Sequence, residues 1–152
     1  MKQSAADIMT TNLVVLHPGD SVQRIAAALA EHQISAAPVV DAAGHLLGMV
    51  SEEDLMRPLG TQEATRRAWW LEMLAEGEAL APQFTNYLKH QSRTAADLMT
   101  REVISVTPET PVSDIVDLLA RHKIKRVPVL KDGKLVGIVS RADIIRAMAR
   151  DE

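Results

Sequence analysis

Ala6-Asp7-Ile8-Met9-Thr10 returns ninety positions later as Ala96-Asp97-Leu98-Met99-Thr100, with one conservative change among the five residues. A match of that length invites a search for internal repetition. The same offset sets Pro18 on Pro108, Val22 on Val112, Ile25 on Ile115, Leu29 on Leu119, His32 on His122, Ile34 on Ile124 and Pro38-Val39 on Pro128-Val129. One residue is then lost, Asp41-Ala42-Ala43-Gly44 against Lys131-Asp132-Gly133, in a turn, where insertions and deletions are best tolerated. Beyond it Gly48-Met49-Val50-Ser51-Glu52-Glu53-Asp54 matches Gly137-Ile138-Val139-Ser140-Arg141-Ala142-Asp143. The chain of 152 residues therefore divides into a first copy, 1–55, an intervening segment, 56–93, and a second copy, 94–152.

Both copies give the same local reading. A short helical lead-in ends at Met9 or Met99 and an extended apolar stretch follows, Leu13 to Leu16 or Val103 to Val106. Asp20 and Thr110 then stand at expected N-cap positions, and Pro111 suits a first helical turn. Val22, Ile25 and Leu29, like Val112, Ile115 and Leu119, recur at the spacing of one helix face, so that stripe must lie against a sheet. Pro38 to Val40 with Leu46 to Val50, and Pro128 to Leu130 with Leu135 to Val139, read as strand pairs joined by Gly-containing turns, with each Pro at a strand start. Ser51 and Ser140 cap a closing helix. An α+β unit of β-α-β-β-α order and about fifty residues buries too little surface to stand alone. The two copies are therefore expected to pack as one module about a pseudo-twofold axis. The segment between them reads as a helical insertion. Thr61 can cap, Arg66 to Ala75 lacks Gly and Pro, Pro82 separates a second helix over Gln83 to His90, and Trp69, Trp70, Met73 and Leu74 supply an apolar face for packing.

Composition narrows the function classes. Apolar residues make up 47% and charged residues 24%, the balance of a folded soluble protein, and one Tyr and one Phe beside two Trp leave an aliphatic core. No apolar run approaches the roughly 18 residues of a membrane span, and the N-terminus lacks a secretory layout, so a cytoplasmic location and no membrane partner are expected. The absence of Cys removes disulfides, thiolate nucleophiles and Cys-ligated zinc. The net charge of −3 is uneven, two basic against seven acidic residues over 1–55 and ten against nine over 94–152, which is not the footprint of a nucleic-acid binder. The five His residues show no paired ligand spacing, so no metal site is expected. No Gly-x-Ser-x-Gly elbow, phosphate-binding loop or His-Glu-x-x-His appears, and nothing pairs a nucleophile with a base, so no catalytic residue is assigned and the protein is read as a non-enzyme.

The motif that carries chemistry is Gly-apolar-Val-Ser-x-x-Asp, present twice at a junction of strand and helix. One reading is a helix cap, the Ser hydroxyl accepting from an orphan amide while the Asp favours the positive helix end. The other is a nucleotide site, with helix amides and the hydroxyl receiving phosphate and the carboxylate accepting from both ribose hydroxyls. The two can coexist. Together with the Asp-Ile-Met-Thr and Asp-Leu-Met-Thr lead-ins and the His-x-Ile-x-x-x-Pro-Val segments, these endings make about two thirds of the chain resemble a tandem pair of cystathionine beta-synthase (CBS) domains, a Bateman module of the bacterial two-repeat type.

The resemblance implies a disc with two clefts, each able to hold an adenine nucleotide (AMP, ADP or ATP) or related adenosine compound as a regulatory ligand. Each cleft is composite. The first would join Ser51 and Asp54 with Thr100, Val103, Ile104, Ile124, Lys125, Arg126 and Pro128, the apolar members holding the base and the basic ones reaching phosphate. The second would join Ser140 and Asp143 with Thr10, Leu13, Val14, Ile34, Ser35, Ala36 and Pro38; Ser35-Ala36 replaces the Lys-Arg pair there and Arg141 is its one evident local cation. The alternative functional reading is a constitutive homodimerisation scaffold whose Ser-x-x-Asp motifs are caps only. Under either, a homodimer is expected by analogy, and under the first an effector protein or domain that receives the conformational signal.

Overall fold

The computed structural model describes residues 3–56 and 92–150. The helices expected between Thr61 and His90, with Trp69 and Trp70, lie outside the described residues. Helix α1 (Ala5–Ile8) is the first lead-in. It is followed by α2 (Val22–Glu31), the antiparallel pair β1 (Ala36–Val40) and β2 (Leu46–Ser51), and α3 (Glu52–Met56). The second copy repeats this order as α4 (Ala95–Leu98), α5 (Val112–His122), β3 (Arg126–Lys131), β4 (Lys134–Ser140) and α6 (Arg141–Arg150).

The helical stripes lie where their spacing puts them. Val22, Ile25 and Leu29 are buried on α2, and Ile115 and Leu119 on α5, with Ile25 and Leu29 in one core cluster and Ile115 and Leu119 in the other, each shared with the strand pair that follows. The caps fall one residue later than expected. Ser21 is the N-cap of α2, its hydroxyl accepting from the Arg24 amide at 3.1 Å, while Asp20 accepts from the His17 amide in the preceding turn. Pro111 caps α5 by backbone geometry alone, because the Thr110 hydroxyl is engaged by the Thr107 amide. Both helices then leave through a residue with left-handed φ, Gln33 or Lys123, which lets Ile34 and Ile124 donate back to the carbonyls of Leu29 and Leu119.

The first strand of each repeat is shorter than its apolar stretch suggests. It is a single parallel bridge, Leu16 on Val39 or Val106 on Val129, held by Leu16 N–H to Pro38 O at 2.8 Å and Val106 N–H to Pro128 O at 3.0 Å. Pro38 and Pro128 sit third in their strands rather than at the start. They are tolerated because their nitrogens face this short parallel side, leaving the antiparallel ladder to β2 or β4 intact. The two hairpins differ where the residue is lost. Asp132 and Gly133, at φ 54° and 80°, close β3 and β4 with a two-residue turn, whereas Asp41 organises the longer first turn by accepting from the Ala43 and His45 amides.

The copies are joined by exchange of their lead-ins. Ala5 and Ile8 of α1 pack in the core of the second repeat with Val106, Ile115, Val127 and Val139. Reciprocally, Ala95 and Met99 complete the core of Leu16, Ile25, Val39 and Val50. The chain beyond each lead-in pairs with the other repeat's last strand, Thr10 with Ile138 at 2.8 and 3.0 Å and Thr100 with Met49 at 2.8 and 3.0 Å. This close crossing accounts for the motif glycines. A Cβ on Gly48 would lie 2.7 Å from the Thr100 carbonyl oxygen and 2.9 Å from Met99 Sδ, and one on Gly137 would run into Met9. Neither half of the chain contains a complete core by itself, so the repeats fold as one unit.

Candidate functional site

Both copies of Ser-x-x-Asp form reciprocal caps at the strand–helix junction. Asp54 Oδ2 accepts from the Ser51 amide at 2.7 Å and hydroxyl at 3.1 Å, and Asp143 Oδ2 accepts from the Ser140 amide at 2.8 Å and hydroxyl at 3.0 Å. Asp54 and Asp143 are 7% and 3% exposed, and each is held by a network that also fixes its direction. The capping reading is therefore met in both repeats. In each repeat the cap engages Oδ2 of the aspartate.

Beside Ser51 lies a cavity of about 310 Å³ built from both repeats. It brings together Ser51, Thr100, Val103, Ile104, Ile124, Lys125 and Arg126 from the expected set, with Asp54 bonded to Ser51 behind it. Pro128 is fully buried in β3, below this surface. Ser35 and Ala36, expected in the other cleft, line this one, because the Arg126 guanidinium reaches across the pseudo-twofold to donate to Ser35 Oγ at 2.6 Å. Burial pushes the pKa of Arg126 below its usual value, with Glu52 raising it and Arg141 lowering it; arginine nonetheless stays cationic at neutral pH.

Sequence reasoning missed the acidic side of this cavity. Glu52, Glu53 and Glu102 line it together with Lys123, Lys125 and Arg126. A signal was available, since Glu52-Glu53 fills the two places between Ser and Asp that Arg141-Ala142 fills in the second copy.

In the second cleft, hydrogen bonds join Ser140, Asp143 and Thr10 as the composite pattern requires. Asp143 Oδ1 accepts from Thr10 Oγ1 at 2.9 Å and from the Arg146 guanidinium, a partner that sequence reasoning did not assign. Arg57 holds the equivalent sequence position in the first copy and lies outside the described residues. Leu13, Val14 and Ile34 are half-buried and Pro38 is fully buried. Arg141 lies in a groove between α5 and α6 with Lys123, Lys125, Val116, Ile145 and Met148. Among the described residues no group of three or more His, Asp or Glu side chains is placed to hold a metal ion, and no helix is long and apolar enough to cross a membrane.

Comparison with known proteins agrees with this fold. The family described as CBS domain matches residues 5–60 and again 95–150. An uncharacterized protein of Methanocaldococcus jannaschii is 32% identical over 150 residues, 93% of this chain and 89% of its own. The CBS domain of a CBS domain-containing membrane protein from Sphaerobacter thermophilus matches with a TM-score of 0.72 at 34% identity, over 95% of this chain and 87% of that one. CBSX2 of Arabidopsis thaliana, crystallised in complex with AMP, matches with a TM-score of 0.72 at 30% identity over 97% of both chains.

Proposed function

The chain belongs to the CBS domain family as a tandem pair of repeats, and from that premise we propose that it is a regulatory module binding an adenosine ligand between them. The observation that carries this reading is the composite cavity, to which Ser51 comes from one repeat and Thr100, Val103, Ile104, Ile124, Lys125 and Arg126 from the other. The apolar members would hold the two faces of an adenine, the Asp54 carboxylate would accept from the ribose hydroxyls, and Lys125 and Arg126 would meet the phosphate. The AMP complex of CBSX2 supports this choice of ligand class.

A ligand that touches both repeats favours the arrangement in which both sets of contacts can be made at once. It shifts the packing of one repeat on the other only by its difference in affinity for the two arrangements, and that shift is the output an effector would read. We place the module in the cytoplasm. We also propose that two copies pair through the helical face, where Val116, Ile145 and Met148 are 44%, 62% and 65% exposed. Light scattering after size exclusion should give a dimer at micromolar concentration, and a monomer would refute the pairing.

Calorimetry of nucleotide-free protein against AMP, ADP, ATP and NAD tests the ligand reading. Saturable binding of an adenosine compound, lost in Asp54→Ala, is expected. No binding by any of the four would leave a constitutive scaffold, in which the Ser-x-x-Asp motifs serve as caps alone.

A further inference from the structure

The first cleft carries opposed charges that a simple phosphate-binding site would not need. Lys125 and Arg126 line, together with Glu52 and Glu53, a cavity near the lower end of the roughly 300–1,000 Å³ typical of small-molecule sites. Arg126 is already engaged with Ser35 and lies in the field of Glu52, so part of its charge is offset before any ligand arrives. Glu52 and Glu53 follow Ser51 directly and line the cavity with it, so a sugar–phosphate held there lies beside them.

On the reading that the cleft takes an adenosine ligand, we propose that Glu52 and Glu53 make it select by charge, accepting a nucleoside monophosphate and disfavouring the triphosphate. A single phosphate carries about two negative charges, which Lys125 and Arg126 can balance. A triphosphate brings roughly two more into a cavity whose lining already includes the two glutamates, and like charges closer than the Debye length of about 8 Å repel with little screening. The second repeat, with Arg141-Ala142 in the corresponding places, lacks this filter.

Calorimetry with AMP and with ATP in EDTA-containing buffer, on the full chain and on Glu52→Gln/Glu53→Gln, reads the effect directly. The wild-type chain should prefer AMP by about tenfold, the size expected for a few like charges in partly screened contact. The double variant should narrow that ratio to about threefold or less. Raising the salt concentration on the wild-type chain should narrow it too, a measurement that needs no substitution. AMP binding with no preference over ATP, or a preference unchanged in the double variant, would overturn the charge filter while leaving the adenosine reading in place. Failure of both nucleotides to bind would overturn both.

Discussion

The first cleft opens on a cavity whose wall carries three cations and three carboxylates; the second is marked by the hydrogen bonds that Asp143 makes with Ser140, Thr10 and Arg146. The two arise from copies that share their glycine, serine, aspartate and lead-in methionine at equivalent positions. The shared residues build the fold: glycine admits the crossing lead-in, and serine with aspartate caps the helix. The positions between and beside them are free of that duty, and there the copies diverge, Glu52-Glu53 against Arg141-Ala142 and Lys125-Arg126 against Ser35-Ala36. The two copies thus share a framework and differ in the residues that line their clefts.

The framework is the first place to break this comparison. Gly48→Ala should destabilise by about 3 kcal/mol, the upper end for a forced steric insertion, because its Cβ meets a backbone carbonyl oxygen that cannot turn aside. Gly137→Ala should cost about 1–2 kcal/mol, since the obstruction there is the flexible Met9 side chain. Urea denaturation of both variants measures the difference, and equal costs would contradict an asymmetric crossing. Next in size is Asp143→Ala. It strands the Ser140 amide and hydroxyl, the Thr10 hydroxyl and the Arg146 guanidinium together, and should cost about 2 kcal/mol in the same assay.

Substitutions at the cleft surface should change binding more than stability. Arg146→Ala removes a partner whose side chain is 63% exposed, so it should cost only about 0.5 kcal/mol. It also releases one claim on Asp143 Oδ1, and the second cleft should then bind AMP more tightly, read as an added or strengthened binding event in calorimetry. Unchanged stoichiometry and affinity would show that Arg146 does not guard that cleft.

The smallest effect concerns acid. The Thr94 amide, and after it the Thr94 hydroxyl, hold the Asp97 carboxyl below the usual carboxylate range, aided by Arg93 and Arg101 and opposed by desolvation. Because the folded pKa is the lower one, the stabilisation is present above the unfolded value and is lost as pH falls through the folded one. Titration of the Asp97 carboxyl by NMR should show the depression. A midpoint at the ordinary carboxylate value would remove this box as an anchor of the lead-in that ends at Thr100.

Much of this was legible in the sequence because it is local. The ninety-residue offset, the helical stripes of Ile25 with Leu29 and Ile115 with Leu119, and the Ser-x-x-Asp boxes depend on neighbours a few residues apart. Spacing alone did not show the exchange of lead-ins, since a repeat fixes which residues are equivalent and is silent on which copy each one packs against; only the family resemblance set Thr100 with Ser51 and Thr10 with Ser140. Gly48 and Gly137 were the available sign: a glycine inside a buried strand marks a close backbone approach. Ser35 lining the first cavity, and Arg146 on Asp143, depend on long side chains reaching across the module, which no spacing rule encodes.

The central claim, that the composite first cleft is the ligand site, is tested most directly by titrating AMP into the wild-type chain and into Asp54→Ala and Asp143→Ala, each confirmed as folded by circular dichroism. The account predicts one saturable binding event that survives in Asp143→Ala and disappears in Asp54→Ala. Binding that persists in Asp54→Ala, or that is absent from the wild-type chain for every adenosine ligand, would contradict it.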